Sequence, residues 1–130
     1  MIEGGKSLIV FPQYTNVVMH STCYEEIIGL VSKDEVPAFI ASYNQRIAYL
    51  NQHLGEEIFH RRWFEVLKNA HGLRSIRFMK FHNLRILYAL DNHKAFLLLA
   101  FAERQGHKNT EYSKYIEPAL KRFNERENML

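Results

Sequence analysis

Arg77, Arg85 and Arg104 are the side chains whose type and spacing have chemistry to offer together. A guanidinium presents a planar fork of donors that matches a phosphate, and several on one surface make a site for a polyanion. Whether the three share a surface is a question of strand parity, because successive strand side chains point to opposite faces. Ile76 and Phe78 are the bulky apolar pair of one short segment, and Leu84, Ile86, Tyr88 and Leu90 are those of the next. Arg77 and Arg85 are odd-numbered among even-numbered core residues, so both are expected to face away from the core. An odd-length turn, Phe81-His82-Asn83, sets the two core faces side by side and the two arginines near one another. A two-residue turn at Asn92-His93, with Asn able to take positive φ, pairs Asp91 with Lys94 and flips the parity. Ala95, Leu97, Leu99 and Phe101 then join the core. Phe96, Leu98, Ala100 and Arg104 join the arginines, with His107 and Lys108 in the loop at the rim. A mixed basic and apolar sheet face suits RNA or a partner chain.

Other chemistries find less support. The seven histidines contain no H-x-x-x-H or H-E-x-x-H spacing, and Cys23 is the only cysteine, so neither a metal site nor an internal disulfide is expected. No glycine-rich phosphate loop is present, and no cofactor is implied; Gly4-Gly5 is isolated. Trp63 lies at helical spacing with other apolar residues and reads as core. His107 is the side chain whose ordinary pKa suits proton transfer near neutral pH.

The elements that must position these residues follow from periodicity. Val36, Phe39, Ile40, Tyr43, Ile47, Leu50 and Leu54 recur every three or four residues, which predicts an amphipathic helix starting at an Asp34 N-cap, with Pro37 in its first turn, and ending at Gly55. Phe59, Trp63, Val66, Leu67 and Ala70 predict a second helix closed near Gly72. Three strands follow, Leu73–Lys80, Asn83–Leu90 and Ala95–Ala102, joined by loops short enough to require antiparallel neighbours. Tyr112, Tyr115, Ile116, Ala119, Leu120 and Phe123 predict a terminal helix that Pro118 either delays to about Tyr115 or kinks. Residues 1–30 are an extension with a first strand of uncertain place: Leu8–Phe11 and Val17–His20 each read as a strand, and Tyr24–Val31 as strand or short helix. Helices in a block and then strands in a block predict an α+β fold, two N-terminal helices packed on a small antiparallel sheet with a C-terminal helix.

Length and composition frame this reading. The 130 residues, 47% of them hydrophobic, with no repeat or low-complexity linker, predict a single domain over 1–130. No apolar run approaches the ~20 residues of a membrane span, no signal peptide pattern opens the chain, and we expect a cytoplasmic protein. Net charge is only +3, but residues 60–108 hold ten Lys/Arg against three acids. Such a local excess favours an anionic partner.

Three motifs carry a resemblance. Gly72-Leu73-Arg74-Ser75-Ile76-Arg77-Phe78 is followed by Asn83-Leu84-Arg85-Ile86-Leu87-Tyr88, then by the apolar run from Ala95 to Ala102 closing on Glu103-Arg104, with Glu111-Tyr112 and Ala119-Leu120-Lys121-Arg122-Phe123 beyond. In order and spacing over roughly residues 34–127 this resembles the RelE/HigB superfamily of toxins of type II toxin–antitoxin systems, in particular a phage-derived HigB-like branch. The resemblance implies a RelE-like α+β fold, ribosome-dependent cleavage of mRNA without a metal or cofactor, and neutralisation by a cognate antitoxin of helix-turn-helix type. It implies a catalytic role for Arg85, basic positions at Arg77 and Arg104, and a C-terminal tyrosine at Tyr112. With the charge and pKa readings above, we assign catalysis to Arg85, Arg104 and His107, and substrate contacts to Arg77, Lys80, Lys108 and Tyr112. Metal-free RNA cleavage needs a base for the 2′-OH proton, cations for the phosphorane and an acid for the leaving 5′-oxygen. Arg85 and Arg104 suit the second task, Arg77 positions substrate, His107 moves the proton, and Tyr112 orients or stacks a base. A non-nucleolytic gyrase-binding toxin of the ParE kind, or an inactive module that only binds an antitoxin, are the other readings.

Overall fold

The computed structural model describes residues 8–11, 14–54, 62–102 and 108–126. Strands β1 (Leu8–Phe11) and β2 (Tyr14–His20) come first. Helix α1 (Ser21–Leu30), a 3₁₀ turn (Lys33–Glu35) and helix α2 (Val36–Gln52) follow. Then come β3 (Phe64–Val66), β4 (Arg74–Phe78), β5 (Leu84–Asp91), β6 (Lys94–Ala102) and helix α3 (Lys108–Asn124). The strands form one sheet in the order β1-β2-β6-β5-β4-β3. All pairings are antiparallel except that of β2 with β6, which is parallel.

This corrects the expected class. Two N-terminal helices on a small antiparallel sheet, the RelE-like arrangement inferred from the block order, is not what the chain adopts. Among the described residues the sheet is mixed and six-stranded, and two of its strands precede the first helix. The helix expected over residues 59–70 is also absent from the described part of that range. Phe64–Val66 instead extends the sheet against β4. Phe64 is buried there, whereas Val66, assigned to the apolar helix stripe, is 63% exposed. Asn69 (φ 54°) and His71 (φ 55°) take left-handed conformations that a helix does not admit.

The meander β4–β5–β6 was expected and is present. Its second turn is the two-residue Asn92-His93, both at positive φ (51° and 61°), as a type I′ turn requires. Asp91 pairs with Lys94. Helix α2 also forms where its spacing predicts, with Phe39, Tyr43, Ile47 and Leu50 buried. Its entry differs from the Asp34 cap: the N-cap position is Glu35, and the capping box lies one step earlier, on the 3₁₀ turn, where Ser32 donates to Glu35 Oε1 from its hydroxyl (2.6 Å) and its backbone N–H (3.2 Å). Helix α3 starts at Lys108 and runs through Pro118, so of the two expectations the late start near Tyr115 is not what the chain adopts.

Two apolar layers result. On one face Met19, Cys23, Ile47, Leu50, Ile76, Phe78, Ile86 and Tyr88 join α1 and α2 to the sheet. On the other, Leu73, Leu87, Leu98, Leu99 and Phe101 meet Tyr112 and Ala119 of α3. No helix among the described residues is long and apolar enough to cross a membrane.

Candidate functional site

The register of β4 and β5 puts Arg77 directly opposite Arg85. The Cα atoms of such opposed residues lie about 4.5–5.5 Å apart, and like charges in this position repel. Ile76, Ile86, Phe78 and Leu84 turn to the face of α1 and α2, so the two arginines turn to the face of α3. This is the juxtaposition that strand parity predicts. What differs is the setting. The arginine face was expected to be an open surface, but α3 covers it, and Arg85 is only 5% exposed. Arg77 is half-buried.

The third arginine depends on β6, and a bulge intervenes. Leu87 pairs with Leu99 and Tyr88 with Leu97, so Leu98 is an extra residue. Phe96 and Leu98 lie on the arginine face as expected, but beyond the bulge Leu99 and Phe101 lie there too, while Ala100 moves to the other layer. Phe101 is therefore the residue opposite Arg85. Beyond the bulge, as far as Ala102 where β6 ends, parity is reversed from the simple alternation used to assign Arg104. Arg104 and His107 lie outside the described residues. Lys108 opens α3.

Tyr112 sits against the arginine row. Its hydroxyl donates to Ser75 Oγ at 3.0 Å and approaches Glu65 Oε1 at 3.5 Å. Its ring meets Phe101 edge-on, with centroids 5.3 Å apart, and Tyr115 stacks on Phe101 from 4.4 Å. Glu65 pairs with Ser75 and Ser75 with Leu87, one row along from Arg77 and Arg85. The cluster is thus two guanidiniums, a serine hydroxyl, a tyrosine phenol and a carboxylate on neighbouring rows of one face. The guanidiniums suit a phosphate, and among the described residues Glu65, one row along, offers a carboxylate able to accept a proton. Sequence reasoning missed Ser75 and Glu65. Ser75 was findable, since it lies two residues before Arg77 on the same strand; Glu65 was not, because its segment read as helix.

Lys80 departs from this group. It lies in the turn after β4 and, with Arg46 and Arg62, lines a concavity against α2. Among the described residues no three His, Cys, Asp or Glu side chains gather as a metal site.

Cys23 is the remaining nucleophile, and it is fully buried on α1. Burial first, then the nearby carboxylate of Glu26, pushes its thiol well above the ordinary range, against the opposing influence of Arg122. A buried, protonated thiol is inert. Native protein is expected to react with an aromatic disulfide reagent at least about a hundredfold more slowly than protein unfolded in guanidinium. Equal rates, read by thiolate release, would show that Cys23 is accessible.

A scan against models of protein families finds no match, and searches of curated proteins and of solved structures return none.

Proposed function

We propose that the chain is an RNA-cleaving toxin of the kind its motifs resemble, acting on ribosome-bound mRNA and restrained by an antitoxin. One observation carries this reading: Arg77 and Arg85 are cross-strand partners on a covered face. Two guanidiniums set side by side offer paired forks that suit one phosphodiester through charge-assisted hydrogen bonds. In the proposed mechanism Arg85 stabilises the charge that builds on the phosphorane, with Arg104 assisting. Arg77, the more accessible of the pair, positions the phosphate. His107 or Glu65 moves the 2′-OH proton, and Tyr112 with Ser75 fixes the local hydrogen bonding. The burial of Arg85 supports a second reading, in which the pair is structural and the chain only binds an antitoxin.

An in vitro translation reaction with primer extension separates the two. The nuclease gives new 5′ ends at positions tied to codons, and Arg77→Ala lowers their yield about ten- to a hundredfold. Absence of cuts by the parent chain favours the binding module. Inhibition of gyrase supercoiling in a parallel reaction would replace both with the gyrase-binding reading.

A further inference from the structure

Helix α2 carries Ser42 and Arg46 one turn apart, on the side that looks toward the end of the sheet where β3 begins and β4 stops. There the chain enters β3 through Arg62 and Trp63 and leaves β4 through Met79 and Lys80. These residues enclose a concavity of about 540 Å³, within the range of small-molecule sites, roughly 300–1,000 Å³. Arg46 is a fixed cation in its wall. Its Nε donates to the Arg77 carbonyl at 2.8 Å and its Nη1 to the Ser42 carbonyl at 3.2 Å. Its guanidinium carbon lies 4.8 Å from the ring centre of Trp63 and 4.8 Å from that of Phe78. Arg62 and Lys80 are exposed beside it, and among the described residues no carboxylate lines the pocket.

We propose that this pocket binds a nucleotide, its phosphate on Arg62 and Lys80 and its base against the layer of Arg46 and Trp63. Bases stack on aromatic rings and on guanidinium planes, and phosphates take charge-assisted hydrogen bonds from lysine and arginine. A bare inorganic anion would have no use for the aromatic wall. An apolar ligand would leave three cations facing it. Phe78 belongs to the α1/α2 layer, whereas Arg77 and Arg85 turn to α3. The site is therefore separate from the arginine pair, and the proposal goes beyond the cleavage reading and does not depend on it.

Trp63 is the only tryptophan of the chain, so its fluorescence reports this pocket directly. The full chain is titrated with UMP, with AMP, with a short oligouridylate and with inorganic phosphate, and equilibrium dialysis measures binding independently. A saturable change is expected with a nucleotide, and inorganic phosphate is expected to bind at least about tenfold more weakly. Saturation by UMP or AMP identifies a free nucleotide as ligand, and saturation by the oligouridylate alone identifies a nucleotide within an RNA strand. The double variant Arg62→Ala/Lys80→Ala, checked for an unchanged thermal melt, is expected to raise Kd about tenfold or more. Arg85→Met is expected to bind as the parent does, whatever its cleavage activity. The proposal is overturned if neither method detects nucleotide binding, if phosphate binds as well as a nucleotide, if the folded double variant keeps the parental Kd, or if Arg85→Met loses binding.

Discussion

Arg85→Met is expected to lower codon-associated RNA cleavage by about 10²–10³-fold, the loss typical when one preorganised donor to a developing oxyanion is removed, while leaving the protein folded. The reasoning joins two properties of the position. Arg85 is a cation that faces another cation across the β4–β5 ladder and is 5% exposed. An unbranched apolar side chain of similar length fills much of the same space in that covered layer, which favours a folded variant. The variant is expected to stay folded at the assay temperature, which its thermal melt checks. The same replacement removes the fork that would hold the phosphorane. Arg85→Lys retains the charge without the fork and is expected to recover part of the activity. Primer extension and thermal melts on the three proteins decide the matter. A purely structural arginine would behave in the opposite way, with Met lowering Tm and cleavage remaining as in the parent. That pattern would remove Arg85 from the site.

The features that make this argument possible were unequally visible in the chain. Parity within β4 and β5 was legible because each strand has enough alternating residues to name a core side, and the connection, five residues from Met79 to Asn83 where three were expected, is still odd and preserves it. Helix α2 was legible from seven apolar positions at one spacing. The three residues of β3 offer too few alternations to signal a strand, and apolar residues at 59, 63, 66, 67 and 70 imitate a helical stripe. Parity also says which side a residue takes, not whether another layer lies over that side. The clue to that layer was α3 itself: a helix with Tyr112, Tyr115, Ile116, Ala119 and Phe123 on one stripe must be buried against something. The only face left for it was the one carrying the arginines. The bulge at Leu98 left no mark in an unbroken apolar run from Ala95 to Ala102, since any register of that run buries apolar residues on both faces.

That bulge leads to the second large effect: Glu26→Ala is expected to destabilise the protein by about 2–4 kcal/mol. Parallel pairing of β2 with β6 is recorded only as far as Met19 and Leu97; beyond it α1 runs beside β6 and must supply hydrogen bonds that a strand would have made. Glu26 does so. Its Oε1 accepts from the Ala100 N–H at 3.0 Å, and its two oxygens accept from Arg122 of α3 at 2.9 Å each. Arg122 also donates to the Leu98 carbonyl at 2.7 Å. One ion pair therefore satisfies backbone groups on both sides of the bulge and ties α1 to α3 across the sheet edge. Its side chains are 18% and 28% exposed, so solvent softens the loss below that of a fully buried pair. Removing the carboxylate strands the Ala100 N–H and leaves Arg122 beside buried Cys23. For a chain of this length the loss corresponds to a fall in Tm of roughly 10 °C. Glu26→Gln keeps an acceptor for Ala100 and is expected to cost about half as much, and Glu26→Ala added to Arg122→Ala is expected to cost less than the two singles summed. A fall of less than about 2 °C for Glu26→Ala would show the clamp to be incidental. A larger fall carries a functional consequence, because the bulge is what turns Leu99 and Phe101 toward Arg85 and Tyr112. A variant that loosens it should lose cleavage even at temperatures where it remains folded.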